Sequence, residues 1–362
     1  MVLEPFTLHV SDPDLAALRR RLRETRAPAA FPAPGWSAGT EAETVARLVS
    51  YWADGFDWRA REAVINELPQ FTVEVHDTRL HFVHLRGEGG ARAVPIVLTH
   101  GWPSTFLELV RLGDRLAHPS RYGGDAATSF DVVIPSLPGF GFSAPSAVPT
   151  HELWHTLMRD LLGYRRFGAH GGDLGAGVSS RLAAFRPESM IGLHLTAAMT
   201  PPVDPATDEE RAHVAQVARW HAAEGAYEHQ QQTRPLTLAH GLSDSPAGLL
   251  AWIAEKYRVW SDSAHAFSDD DVLTQASIYW FTNTVATSFV PYFAYRPFWQ
   301  RVEVPTAFAS FPADLSHPPR SWVERTYDLR RYTPMPRGGH FAGHEEPDLL
   351  AADITAFFED LR

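Results

Sequence analysis

The chain of 362 residues contains no cysteine, which excludes disulfides and thiolate metal sites and leaves the redox compartment open. No stretch approaches the ~18 consecutive apolar residues of a spanning helix. The N-terminus, MVLEPFTLHVSDPDL, lacks the basic start and unbroken apolar run of a secretory signal. Together these absences predict a cytoplasmic protein with no membrane partner. Excess positive charge is also missing. Thirty-two Lys and Arg stand against 43 Asp and Glu, a net charge of −11, which argues against a nucleic-acid or anionic surface and favours a small neutral partner. Eighteen histidines are present, yet no H-E-x-x-H pair occurs, so neither a metal nor another cofactor is expected. Internal repeats and low-complexity tracts are absent. Hydrophobic residues make up 44% of the chain, ample for a large core.

Taken in order, the first ninety or so residues read as helices followed by β structure. Ser11-Asp12-Pro13-Asp14 ahead of Leu15, Leu18 and Leu22 is a capped amphipathic start, with Arg19 to Arg21 and Arg23 on the solvated face. Thr40 with Glu43 repeats the capping signal before Val45, Leu48, Val49 and Trp52, and a third helix follows Asp57. Strands are expected at Phe71 to Val75 and Leu80 to Leu85, turning at Asp77-Thr78. From Ala93 the texture becomes alternating strand and helix, the pattern of a doubly wound, mostly parallel α/β sheet. Strands are expected at PIVLTH (95–100), FDVVIP, the weakly apolar segment before Asp173, Ile191 to Thr196, VPTAFASF (304–311) and Arg330 to Met335. Helices are expected from Ser104, through Trp154 and Leu161, from Gly177 to Phe185 and from Glu346 to Leu361. Between about Pro201 and Gln300 the texture is helical and rich in aromatics. An insertion there lies over the C-terminal ends of the strands, where open α/β sheets bind ligands, and reads as a cap. The resulting division is an N-terminal lobe (1–92), a first core part (93–200), a helical cap (201–300) and a second core part (301–362).

The chemistry centres on His170-Gly171-Gly172-Asp173-Leu174-Gly175. It fits G-x-S-x-G, the nucleophile elbow of the α/β-hydrolase fold, with aspartate in place of serine. A carboxylate suits displacement at a saturated carbon, because the ester it forms can later be cleaved by water. The template requires nucleophile, acid and histidine in that chain order, and Asp173, Asp314 and His340 supply it. Neutral His340 would deprotonate water while Asp314 holds the ring. His344 competes as the base; Asp204, Asp208 and Glu209 compete as the acid. Backbone N–H groups of Trp102 and Leu174 would form the oxyanion site, a donor pair of the kind whose loss typically costs ~3 to 4 kcal/mol each. Opening an epoxide also requires an acid facing Asp173 from the cap.

HGWPSTFLELV, SLPGFGFS, GGDLG, FPADL and RGGHFAGHEEP, with YWADGFDWR and LPQF before them, resemble the microsomal-type epoxide hydrolases over nearly the whole chain. The resemblance implies an N-terminal lobe, an α/β-hydrolase core and a helical cap. It implies Asp173 as nucleophile, His340 as base, Asp314 as charge-relay acid and two cap tyrosines as proton donors. Tyr227 stands ahead of Asp244-Ser245-Pro246, and Tyr292 follows Tyr279-Trp280; Tyr295 and Tyr279 are the alternatives. A phenol with a reference pKa of ~10 remains a neutral donor at working pH. Three departures stand out. Leu174 replaces the family's usual Trp, Asp314 is shorter by a methylene than the mammalian glutamate so its loop must lie nearer His340, and the membrane anchor of those members has no counterpart. The N-terminal lobe is then left with wrapping the core and bracing the cap.

The implied reaction is epoxide to vicinal diol through an aspartyl ester, on a small epoxide that the aromatic cap suits to being aryl or bulky. Self-association into a homo-oligomer is left open. Two other readings compete. A haloalkane or haloacid dehalogenase shares the aspartate but must cradle halide, and a silent hydrolase-fold binding protein usually lacks part of the triad.

Overall fold

In the computed structural model, which describes residues 3–361, the N-terminal helices form where their caps and apolar spacing direct them. Helix α1 (Asp12–Arg23) starts at Ser11, whose hydroxyl accepts the Asp14 N–H, and it buries Leu15, Leu18 and Leu22. Helix α2 (Ala42–Asp54) buries Leu48, Val49 and Trp52, and α3 (Trp58–Asn66) is capped by Asp57. One expected cap is not made. Glu41 takes the N-cap position of α2, and the Thr40 hydroxyl donates instead to the Ala251 carbonyl at 2.6 Å. A bond across the fold has displaced the local one.

Strands β2 (Gln70–Val75) and β3 (Thr78–Leu85) form a hairpin. It turns one residue earlier than expected, at His76 and Asp77. Both have positive φ, 48° and 61°, the pairing that matches the twist of a two-residue hairpin. These strands are not separate from the core sheet. With β1 (Glu4–Pro5) they build the antiparallel end of one nine-stranded sheet in the order β1-β2-β3-β5-β4-β6-β7-β8-β9. β3 pairs antiparallel with β5 (Phe130–Pro135). From β5 onward, β4 (Val94–Thr99), β6 (Phe167–Gly171), β7 (Met190–Leu195), β8 (Val302–Ser310) and β9 (Tyr327–Pro334) are parallel. The weakly apolar β6 lies mid-sheet and is buried at every position. Small residues suit it, since helices pack closely on both of its faces.

Helices α4 (Val110–Ala117), α5 (Thr150–His155), α6 (Asp173–Phe185) and α15 (Pro347–Glu359) cover the sheet. The fold is thus the α/β-hydrolase sandwich expected. α6 begins at Asp173, four residues before the expected Gly177. Between β7 and β8 the chain leaves the sheet for α7 (Asp208–Glu224), α8 (Ala226–Thr233), α9 (Pro235–Asp244), α10 (Pro246–Val259), α11 (Asp269–Thr282) and α12 (Val290–Phe293). Two short helices, α13 (Arg320–Glu324) and α14 (Ala342–Glu345), stand on either side of β9 in the chain. Glu210, buried at the start of α7, accepts two hydrogen bonds from Arg325, just before β9, at 2.9 and 2.8 Å. The N-terminal helices are bonded to the same layer at other points. Arg21 reaches the Asp244 carbonyl at 2.8 Å, the Trp52 indole N–H donates to Ser277 at 3.0 Å, and Arg47 and Arg61 pair with Asp269 and Asp270. Among the described residues, no helix is long and apolar enough to cross a membrane.

Candidate active site

Asp173 follows β6 closely, with φ of +47°, a left-handed conformation that a non-glycine residue adopts only where its surroundings hold it there. The surroundings are tight. A Cβ on Gly175 would lie 2.0 Å from the Thr99 carbonyl oxygen, so only glycine lets α6 pass the end of β4. A Cβ on Gly101 would lie 2.4 Å from both Cβ and Oδ1 of Asp173. The loop after β4 can therefore close over the carboxylate only because residue 101 has no side chain.

That loop supplies the first contact. The Trp102 N–H donates to Asp173 Oδ1 at 2.8 Å, and the Leu174 N–H bonds the same carboxylate. Asp173 is also the first residue of α6, where the positive end of the helix favours an anion. Burial alone would raise its pKa. Hydrogen bonding and charge from His340, together with the two backbone donors, reverse this and hold it below the usual carboxylate range.

His340 stands between two carboxylates. Its Nδ1 lies 2.7 Å from Asp314 Oδ1 and its Nε2 lies 3.5 Å from Asp173 Oδ2, with the His340 and Asp314 side chains each 8% exposed. Burial pushes the imidazole down, but the Asp314 charge and bonds to both carboxylates outweigh it and hold the pKa well above the ordinary value. Asp314 reaches the ring because its loop is stitched to that of the histidine. Ala313 donates its N–H to the Gly338 carbonyl at 3.1 Å, and Ala313 and Gly339 form a parallel bridge.

The other candidates lie elsewhere. His344 stacks on Phe267 at 4.0 Å, is 3.8 Å from Asp271, and is pushed down to about 4, mainly by burial. Asp204, Asp208 and Glu209 are all exposed, and Asp208 pairs with Arg211. Tyr227, in α8, and Tyr292, in α12, both pack against Trp102, near enough to Asp173 to feel its charge. The Tyr227 ring stacks on Trp102 (5.2 Å between centroids, 7° between planes), while Tyr292 stands edge-on to Trp102 at 6.0 Å and to Tyr227 at 6.2 Å. Burial first, and then the Asp173 charge, push both phenols upward, so both stay protonated. Tyr295 is 56% exposed; Tyr279 is buried on α11.

Several neighbours carried no signal in the sequence. The Trp260 carbonyl accepts the His340 N–H at 2.9 Å, and its ring lies 5.1 Å from the imidazole. Glu345 accepts N–H groups from Phe341 and Asp262, and Asp262 accepts from Gly338, which fixes the histidine loop to the cap. Neutral His100 accepts the Leu137 N–H at 3.1 Å and so ties the Trp102 loop to the one after β5. Glu108 shares an enclosed cavity with Asp173 and His340 and is pushed up to about 7 by burial. Only its position as a lone acid within Phe106-Leu107-Glu108-Leu109-Val110 set it apart. On the outer side of Tyr227 a wide cleft opens, walled by the cap and by the loop at Trp36 to Gly39.

Known proteins resemble this chain in both sequence and fold. The family profile described as epoxide hydrolase N terminus matches residues 3–109, and the alpha/beta hydrolase fold profile matches 94–253. A "putative epoxide hydrolase" of Stigmatella aurantiaca is 36% identical, covering 99% of this chain and 86% of its own. Epoxide hydrolase 1 of Oryctolagus cuniculus is 31% identical over 98% of this chain and 88% of its own. The solved structure of the Aspergillus niger epoxide hydrolase superimposes with a TM-score of 0.90 at 32% identity, covering 100% of this chain and 97% of that one.

Proposed function

The chain belongs to the epoxide hydrolase family, and from that premise we propose that it converts an epoxide to a vicinal diol through an ester on Asp173. One observation carries the reading: the Asp173 carboxylate has one oxygen held by the Trp102 N–H and the other turned to His340, with two protonated phenols near enough to feel its charge.

In the first step, Asp173 Oδ2 attacks an epoxide carbon and the carbon–oxygen bond to the ring oxygen breaks. That oxygen takes a proton through Tyr227 and Tyr292. A positioned acid of this kind contributes on the order of 10²- to 10⁴-fold. The resting imidazolium is supported by two carboxylates. Once Asp173 is a neutral ester, half of that support is gone, so His340 passes its proton to the phenolate left by ring opening and becomes a base. Water then adds hydroxide to the ester carbonyl carbon while its proton goes to His340. The carbonyl oxygen gains charge on Oδ1, which already accepts the Trp102 N–H, with the Leu174 N–H on the same carboxyl group. Collapse breaks the bond from the acyl carbon to Oδ2. The diol leaves with that oxygen and the remaining water proton, and Asp173 keeps one oxygen from water. Asp314 holds the imidazole in orientation throughout.

The pocket rings, Trp102, Tyr227 and Tyr292 with Trp252 and Trp260 behind them, suit an aryl or otherwise bulky epoxide. A single turnover in heavy-oxygen water tests the mechanism. The first diol should carry an unlabelled oxygen taken from Asp173, with label retained by the protein. Label in the first diol and none in the protein would mean direct hydration and end the reading.

A further inference from the structure

A lysine ammonium is strongly hydrated and is seldom buried without a purpose or a partner. Lys256, on α10, is 3% exposed. The carboxylate it pairs with is that of Glu255, 3.0 Å away. Consecutive residues on a helix do not face each other, so this pair is held by its surroundings and not by helix geometry. The surroundings are aromatic. Lys256 Nζ lies 4.7 Å from the Tyr227 ring centroid, 5.4 Å from that of Trp260 and 6.0 Å from that of Trp252.

Two of these rings lead into the reaction centre. Tyr227 stacks on Trp102, whose backbone N–H holds Asp173, and the Trp260 ring lies 5.1 Å from the His340 imidazole. We propose that Lys256 is a positioning residue for epoxide opening, acting through Tyr227. Its ammonium fixes the Tyr227 ring against Trp102 and stabilises the negative charge that this phenol takes up as its proton moves to the epoxide oxygen. The inference rests on Tyr227 being a proton donor.

The effect of the ammonium is a difference between two states. A cation over the face of a neutral phenol is attracted by the ring quadrupole alone. When the phenol gives up its proton, a full Coulomb attraction is added in a site shielded from water, and an interaction that grows toward the transition state accelerates the step. Ester hydrolysis places its charge on Oδ1 of Asp173, which accepts the Trp102 N–H and not a bond from Lys256. The lysine should therefore act on one step only. A role confined to packing would act on neither step selectively.

Single-turnover stopped flow with styrene oxide, following tryptophan fluorescence, separates ester formation from ester hydrolysis. Lys256→Met keeps the stem and removes the charge. It should slow ester formation by roughly ten- to a hundred-fold and leave hydrolysis unchanged, and Lys256→Arg should recover most of the loss. Tyr227→Phe should slow the same step, and adding Lys256→Met to it should slow it no further. Normal ester formation in Lys256→Met beside a slow Tyr227→Phe would overturn the lysine proposal alone. So would equal slowing of both steps, or losses that multiply in the double variant. Normal ester formation in Tyr227→Phe would instead remove the tyrosine reading and this inference with it. Should Lys256→Met fail to fold, Glu255→Gln answers the question. Removing the counter-charge should speed ester formation, and an unchanged or slower rate would count against the proposal.

Discussion

Replacing His340 with Gln should trap the reaction halfway. Glutamine cannot accept a proton from water, but its amide can still bond to Asp314, which avoids leaving a buried carboxylate without a partner. Asp173 loses the imidazolium 3.5 Å from Oδ2. It keeps the Trp102 and Leu174 N–H groups and the start of α6, enough to leave it ionised and able to attack. Ester formation should thus fall modestly, whereas hydrolysis loses its base, on the order of 10³- to 10⁴-fold or about 4 to 5 kcal/mol of barrier. Intact-protein mass spectrometry after mixing with styrene oxide should show an increase equal to the whole epoxide, because nothing leaves on ring opening. Peptide mapping should locate it at Asp173, and Asp173→Asn should abolish it. If His340→Gln turned epoxide over with no adduct, or carried it on another residue, the covalent scheme would be refuted.

Other expectations concern the cap, the elbow and the sheet. Tyr227→Phe and Tyr292→Phe should each slow ester formation on the order of 10²-fold or more, and the double variant should exceed either; equal rates in wild type and double variant would exclude both phenols as donors. Gly175→Ala places a methyl 2.0 Å from the Thr99 carbonyl, and should cost roughly 3 kcal/mol or more by overpacking, read as a lower urea midpoint. An unchanged midpoint would mean that the elbow can relax. Asp353 should make the fold acid-sensitive. Burial opposes its charge, but bonds from His194, Thr333 and Arg331 lower its pKa from 3.8 to about 2. Its contribution, at most about 2 kcal/mol, is complete above pH ~4 and disappears as pH falls toward ~2. Urea titrations across that range should lose the increment in wild type and show no such increment in Asp353→Asn.

What could be read in the sequence was set by local sterics and periodicity. Ser11 and Asp57 cap their helices because a side-chain oxygen three residues before a free N–H reaches it whatever else the chain does. The strands around Asp173 are apolar or small because both faces are covered, and the spacing of Gly171 and Gly175 about Asp173 is a requirement of the turn itself. Even there the local signal could be overridden. Thr40 leaves its cap for Ala251, 211 residues away, and the hairpin turns at His76-Asp77 since the register with β3 decides which two residues take positive φ.

The sequence alone determined the order Asp173, Asp314, His340, the alternating α/β core and the aromatic insertion, since each is a matter of spacing along one chain. Choosing among carboxylates and histidines was beyond it. Asp314 meets His340, and Asp204 and Asp208 do not, because Ala313 bridges Gly339. The neighbourhood of Trp260, Lys256, Glu345 and Glu108 came only from the tertiary structure. Each acts on a group tens to more than a hundred residues away, through contacts that exist only once cap and sheet have closed on one another, and such contacts leave no periodic trace in the chain.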